Sequence, residues 1–302
     1  MNTTFFITNF KKEIWEFNKT LFWVPLIILL LVVSAPLIQF IVMEDYQANN
    51  IIRFLDDVQH REVAEDFNKI VLGAMTGLFV PFVMVSLLVQ FYYFITCLYD
   101  ERRDLSVYFW RSLPVSDAAS VGIKLATGAL LIPAIFMFGA TAAALVYALF
   151  GLIASVILSA GYDISLWQLW ASADLVTNLM AIWISLLPYA LWMLPVYAWL
   201  MLASMFAQKG PFLWAVLPVV VILLVEAFVV EYFQLHQGFF SQMLFEYFTF
   251  SEHIVPVDFI DSDSPKLVMV SALLKKIELS GILLGGALMY LTYWLRANRS
   301  HP

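Results

Sequence analysis

The chain has 302 residues and a net charge of −7, and 62% of its residues are hydrophobic whereas only 13% are charged. Soluble domains carry about 25% charged residues, so this composition and a mean hydropathy of +0.85 exclude an ordinary soluble fold. The acidic balance, without a basic patch, argues against a nucleic-acid partner. Since Cys97 is the single cysteine, no disulfide can form within the chain. We predict an all-α polytopic membrane protein in which residues 1–302 form a single transmembrane domain.

The residues before the first apolar stretch predict an interfacial helix over 5–21. Five apolar residues follow helical spacing, with the charged residues on the other face: Phe6, Phe10, Ile14, Phe17 and Leu21. Such a helix lies along a membrane surface, with Trp15 at the level of the lipid headgroups. A simple start of the first span is the alternative. The compact apolar core and cleavage site of a signal peptide are not visible, so we expect the first span to be its own insertion signal.

Six apolar stretches are long enough to cross a bilayer. A hydrocarbon core of about 30 Å needs roughly 20 helical residues, and continuously apolar runs satisfy their backbone there as helices. The predicted spans are at about 22–43, 70–97, 122–155, 174–207, 212–233 and 277–295. We predict one long or kinked helix for the third span, with two short helices as the alternative. Pro188 and Pro195 predict a bend in the fourth span.

The distribution of Lys and Arg predicts that both termini are cytoplasmic. With six spans, ten of these residues fall on one side of the membrane and six on the other, and the richer side is the cytoplasmic one. The loop 98–121 is then cytoplasmic, and the tracts 44–69 and 234–276 lie outside.

The loop 98–121 has the pattern of a short amphipathic helix. Leu105, Phe109 and Leu113 share one helical face, and Pro114 ends the helix. Ser116 is a candidate N-cap for the helix that enters the third span. A helix held between two membrane helices can pass a push from a soluble partner into the membrane. The alternative is a connector that simply lies at the interface.

The outer tract 234–276 has two helix-like segments. Aromatic residues within 239–248 follow helical spacing, and 268–274 is apolar but too short to span. A turn-rich connection at 255–265 separates them. We predict helices that dip into or lie on the outer leaflet, with a small outer cap as the alternative.

Few ionisable side chains fall within the spans. Asp174 is best explained as a cap at the start of the fourth span, and Glu226 lies about two-thirds of the way along the fifth. Glu226 either snorkels, hydrogen-bonds across a dimer seam, or faces a translocation cavity. This scarcity, and the lack of evident inverted repeats, argue against an ion-coupled secondary transporter.

Motifs for nucleotide, zinc or nucleophilic chemistry are missing from the sequence. There is no G-x-x-x-x-G-K-[ST], no H-E-x-x-H and no G-x-S-x-G. The histidines are scattered rather than grouped for a metal: His60, His236, His253 and His301. We therefore expect this chain to have no catalytic, cofactor or metal site.

One local motif and the overall layout resemble the ABC-2 type transporter permeases. The motif is YDERRD at 99–104, followed by FWRSLPVSD at 109–117, and it is similar to the DERKD … FWKSLPVSD stretch of one bacterial branch of that family. Leu105 and the pair Val107–Tyr108 depart from the branch pattern but keep the helical face. The layout is an interfacial helix, six spans, a helix-bearing loop after span two and re-entrant-like outer helices.

The resemblance implies a permease subunit of a bacterial ABC exporter in the cytoplasmic (inner) membrane. It implies a transport subunit rather than an enzyme, with ATP and Mg²⁺ bound by a separate cytoplasmic ABC ATPase subunit, and a second copy of the permease in a homodimer. Residues 101–113 would be the coupling helix that docks on the ATPase. The implied contact residues are Glu101, Arg102, Arg103, Asp104, Leu105, Phe109, Trp110 and Arg111.

Two other functions stay open at this point. One is a membrane scaffold or regulatory subunit whose loop binds a non-ATPase partner, and the other is a proton-coupled secondary transporter. The residues do not identify a transported substrate.

Overall fold

The computed structural model describes residues 3–44, 64–104, 116–167, 173–235, 237–249 and 265–298, with isolated positions at 46, 47, 50, 52, 53 and 170. All regular structure in this part of the chain is helical. The main helices are α1 (Thr3–Glu16), α2 (Asn18–Val42), α3 (Ala64–Thr96), α4 (Tyr99–Arg103), α5 (Asp117–Ala126), α6 (Ile132–Tyr162), α7 (Leu175–Ile184), α8 (Leu186–Trp192), α9 (Leu194–Phe206), α10 (Pro211–Phe233), α11 (Phe239–Phe248), α12 (Pro265–Lys275) and α13 (Leu279–Asn298).

Five helical stretches in the described part of the chain are long and apolar enough to cross a membrane. They are Asn18–Gln39, Val71–Arg103, Asp117–Tyr162, Leu175–Trp192 and Pro211–Phe233. These stretches overlap the first five predicted spans, although the fourth stretch ends at Trp192 and the predicted span at 207. The prediction of a helical, multi-pass membrane protein is confirmed. The sixth predicted stretch forms α13 and is not among the five.

The third span is one continuous helical stretch with a π-helical segment at Thr127–Leu131. Within this segment the N–H of Ile132 donates to the carbonyl of Thr127, five residues back. The next residue, Pro133, has no N–H, so the Gly128 carbonyl lacks a helical donor. The side-chain amide of Gln90 donates to that carbonyl at 2.8 Å. A buried polar residue of the second span thus satisfies the backbone of the third.

The fourth span is interrupted where the prolines predict it. It consists of α7, α8 and α9, with breaks at Ser185 and Met193. Each break lies just before a proline, which cannot donate to the carbonyl four residues back. The breaks lie next to Pro188 and Pro195, and the bend that these prolines predict stays a prediction.

The helices belong to two compact units. The first unit comprises 1–15, 87–132 and 185–302. In it α9 packs along α13, α13 also contacts α5, and α10 contacts both α9 and α11. The ring of Phe94 stacks on Tyr197 with centroids 4.5 Å apart.

The second unit comprises 16–86 and 133–184. The Tyr147 hydroxyl donates to the carbonyl of Val32 at 2.9 Å, and the ring of Phe138 lies edge-on to Trp183. Most of the large side chains on α2 are exposed, as expected for a helix that faces lipid.

Close packing of α9 against α13 depends on Gly285. A Cβ atom at this position would lie 2.9 Å from Cγ of Leu194 and 3.3 Å from the backbone nitrogen of Pro195. At the neighbouring Gly286 nothing lies within 4 Å. Small residues allow membrane helices to approach each other closely. The packing of α9 leaves no room for a side chain at Gly285, whereas Gly286 has room for one.

Gly285→Ala should therefore destabilise the protein, by the roughly 1–3 kcal/mol that overpacking costs. Gly286→Ala is the matched control, and it should be neutral or gain up to about 1 kcal/mol of helix propensity. Equilibrium unfolding in mild detergent measures both. Equal stability of the two variants would show that α9 and α13 do not pack through Gly285.

Candidate functional site

Six charged side chains from four helices meet in the first unit. The set, which we call the ion cluster, consists of Lys12, Glu13, Glu101, Asp117, Lys124 and Arg296. Four of these, Glu13, Glu101, Lys124 and Arg296, are only 3–5% exposed. Three members are acidic and three are basic, so their formal charges sum to zero.

Glu101 is the hub of the ion cluster. Its Oε1 lies 3.1 Å from Nζ of Lys124 and 3.4 Å from Nζ of Lys12, and its Oε2 lies 2.9 Å from Nη1 of Arg296. Arg296 also reaches Asp117, with Nε 3.0 Å from Oδ1. A single carboxylate on α4 therefore joins α1, α5 and α13.

Glu13 brings α1 into the same cluster. Its Oε1 lies 3.0 Å from Nζ of Lys124, and the hydroxyl of Tyr93 donates to its Oε2 at 2.9 Å. Trp15, two residues on, is 76% exposed. Glu13 thus turns into the protein and Trp15 points away from it, and the headgroup-level position of Trp15 stays a prediction.

Burial makes these pairs interdependent. Moving an ion out of water costs several kcal/mol, and only well-placed partners offset that penalty. Removing one member leaves another charge buried without compensation. The ion cluster therefore acts as a joint that holds the ends of four helices in one arrangement.

The segment around Glu101 is also fastened to the end of α9. The guanidinium of Arg102 donates to the carbonyls of Ser204 and Ala207, both at 2.7 Å. The hydroxyl of Ser204 accepts the backbone N–H groups of Leu98 and Tyr99 at 3.2 and 2.9 Å. Helix ends carry backbone groups that lack helical partners, and here the two helix ends supply partners to each other.

The residues implied as ATPase contacts fall into two groups where the structure describes them. Glu101 and Arg102 turn inward, to the ion cluster and to α9. Arg103 and Asp104 are exposed and pair with each other at 2.9 Å. The remaining contact residues, and with them most of the coupling helix 101–113, lie outside the described residues: Leu105, Phe109, Trp110 and Arg111. Contact with an ATPase stays a prediction.

Sequence reasoning did not find the ion cluster. In the sequence, Lys124 and Arg296 count only among the basic residues that predict the topology, and Glu13 counts only among the charged residues of the predicted interfacial helix. The available signal was their position, since all three lie at the ends of helices on the same predicted side of the membrane. That signal does not say that the side chains turn inward.

Glu226 has a role that the sequence did not suggest. Its carboxylate accepts the N–H groups of Phe240 and Ser241 at the start of α11. The N-cap residue of α11, Gly238, has no side chain to do this. Glu226 therefore caps α11 from another helix, and the predicted dimer-seam and cavity roles stay predictions.

Within the described ranges, no group of three or more His, Cys, Asp or Glu residues is placed to hold a metal ion. No protein-family model, no curated protein and no solved structure matches the chain. The resemblance to the ABC-2 type permeases therefore stays a prediction from sequence.

Lys124→Met should lower the free energy of unfolding by about 3–5 kcal/mol, because it leaves Glu13 and Glu101 without their shared cation. Adding Glu13→Gln should recover part of the loss, with a coupling energy of about 0.5–3 kcal/mol. The exposed Lys209→Met is the matched control and should be neutral. If Lys124→Met unfolds at the same denaturant concentration as this control, the ion cluster does not hold the helices together.

Proposed function

We propose that this chain is the permease subunit of an ATP-driven ABC exporter in a bacterial inner membrane. In this proposal α13 is a sixth span, and both termini and the loop 98–121 are cytoplasmic. Helix α1 is the interfacial helix, and α11 and α12 are the re-entrant-like outer helices. The motif at 99–117 supports the assignment, together with the series of apolar helices.

The anchoring of Glu101 is the observation that carries the proposal. A lever transmits force only when its base is firmly joined to the elements that it moves. Glu101 is bonded to Lys124 at the start of the third span and to Arg296 at the end of α13, and Arg102 is bonded to the end of α9. A push on residues 105–113 would therefore be passed to several spans rather than absorbed by a loose loop.

This arrangement divides the loop into two parts. Glu101 and Arg102 form the fixed part, because their side chains make ion pairs and hydrogen bonds within the chain. The exposed Arg103 and Asp104 begin the part that contacts the ATPase, which continues through Leu105, Phe109, Trp110 and Arg111. Phe109 and Trp110 are the apolar anchors in the groove of the ATPase.

In this proposal, transport follows from the movement of the segment that contains Glu101 and Arg102. Six spans are too few to enclose a pathway comfortably, so two copies of the chain form the permease. ATP closes the dimer of the partner ATPases, and the two copies of 101–113 are drawn together. The ion cluster carries this motion into the facing spans, which open an outer route. The chemistry of hydrolysis belongs to the partner.

The two other functions compete with this proposal in different ways. A scaffold subunit would use the same loop for a non-ATPase partner, so only the identity of the partner separates the two. A proton-coupled transporter needs carboxylates that gain and lose protons during transport. The buried carboxylates of the ion cluster are matched by an equal number of cations, which disfavours that use.

Phe109→Ala with Trp110→Ala should uncouple the transporter. The wild-type chain, purified in mild detergent with the products of neighbouring reading frames, should retain a Walker-type ATPase. In proteoliposomes the double variant should lose the effect of the permease on ATP hydrolysis and still elute as a folded protein. Phe22→Ala with Trp23→Ala removes an exposed Phe–Trp pair of α2 and should behave like the wild type.

Three results would contradict the proposal. The first is an intact complex that contains no ATPase. The second is normal coupling of ATP hydrolysis to the permease in the Phe109/Trp110 double variant. The third is a labelling experiment that places residues 105–113 on the outer face of the membrane.

A further inference from the structure

Helix α11 is held at both ends by charged side chains from outside the helix. The carboxylate of Glu226, on α10, accepts the first N–H groups of α11, with Ser241 N at 2.7 Å. Lys276, which follows α12, donates to the carbonyls of Glu246, Tyr247 and Thr249 at 2.6, 3.2 and 2.7 Å. An anion at the N-terminus and a cation at the C-terminus both match the helix dipole.

The contact at Glu226 lies well before the end of α10. Glu226 lies seven residues before the end of α10 at Phe233, which is about 10 Å at 1.5 Å per residue. The start of α11 is therefore two turns inside the end of a helix that can cross the membrane. Backbone groups in apolar surroundings need protein partners, and Glu226 and Lys276 provide them for the two ends of α11.

Apolar packing contributes little to holding α11 in place. All ten of its residues are described, and none is buried. Phe239 is 84% exposed and Phe245 is 69% exposed. The docked position of α11 therefore depends on polar contacts and on two ring contacts to Trp192, rather than on a buried apolar face.

Helix α11 covers the second break of the fourth span. The hydroxyl of Tyr247 donates to the carbonyl of Trp192, the last residue before the break at Met193. The Trp192 ring lies 5.8 Å from the ring of Tyr247 and 6.3 Å from that of Phe248.

A buried polar group lies behind Trp192. The Trp192 ring contacts Tyr189, whose hydroxyl donates to Oε1 of Gln90 at 3.3 Å. The hydroxyl of Tyr197 in turn donates to that of Tyr189 at 3.2 Å. Gln90 and Tyr197 are 1% and 2% exposed, and Tyr189 between them is half-buried.

We propose that α11 is a releasable strap, which Glu226 and Lys276 hold over the break at Met193. When either charged contact opens, the helix lifts and exposes Trp192 and the polar group behind it. The strap is a property of this chain alone and does not depend on the proposed exporter function.

Thiol labelling of the full-length chain in mild detergent tests the strap. Cys97→Ala removes the native thiol, and Met193→Cys places a reporter at the break, where Met193 is buried. In this background Glu226→Gln and Lys276→Met should each raise the rate of maleimide labelling by about fivefold or more, the lower end of typical coupling between sites.

The chain offers a matched control for each variant. Glu231→Gln changes an exposed carboxylate on the same helix as Glu226, and Lys275→Met changes the exposed neighbour of Lys276. Both should label at the slow rate of the parent. Equal rates in Glu226→Gln and Glu231→Gln, slow or fast, would overturn the proposal.

Hydrogen exchange on the same variants separates lifting of the strap from unfolding. Amides near 192–197 should lose protection, whereas those of α10 and α13 should keep it. Loss of protection throughout α10 and α13 would mean that Glu226 and Lys276 stabilise the whole unit rather than a movable helix. The proposal of a releasable strap would then be wrong.

Discussion

A carboxylate cut off from water keeps its charge only where cations replace the lost hydration, and at Glu101 that replacement comes from Lys124 and Arg296. These partners lie 23 and 195 positions away in the sequence. Their pairing therefore requires the end of the second span, the start of the third and the end of α13 to meet. Glu13 extends the requirement to α1, which has no long apolar stretch of its own.

The same rule appears at three other places in the first unit where backbone groups lack helical partners. Pro133 leaves the Gly128 carbonyl without a donor, and Gln90 supplies one. The end of α9 receives the guanidinium of Arg102. The two ends of α11 receive Glu226 and Lys276. In each case a polar side chain from outside the helix supplies the hydrogen bond that water supplies in a soluble protein. Irregular backbone and contacts between segments therefore occur at the same places.

Much of this fold follows from the sequence by simple arguments. Length and hydropathy locate the five candidate spans, the prolines locate the breaks of the fourth, and aromatic spacing locates α11. Hydropathy does not show which way a charged side chain at a helix end points. A lysine such as Lys124 can extend toward water or turn inward with the same sequence around it. The cap at Glu226 depends on the chain reversing after Phe233, and the sequence does not show how far it turns back.

The neutrality of the ion cluster has an electrical consequence. Moving one elementary charge through a membrane potential of 100 mV involves about 2.3 kcal/mol of work. Three acidic and three basic side chains that travel together carry no net charge, so the field does no net work on them. A shift of the six cluster side chains would by itself cost the same in an energised and in a depolarised membrane.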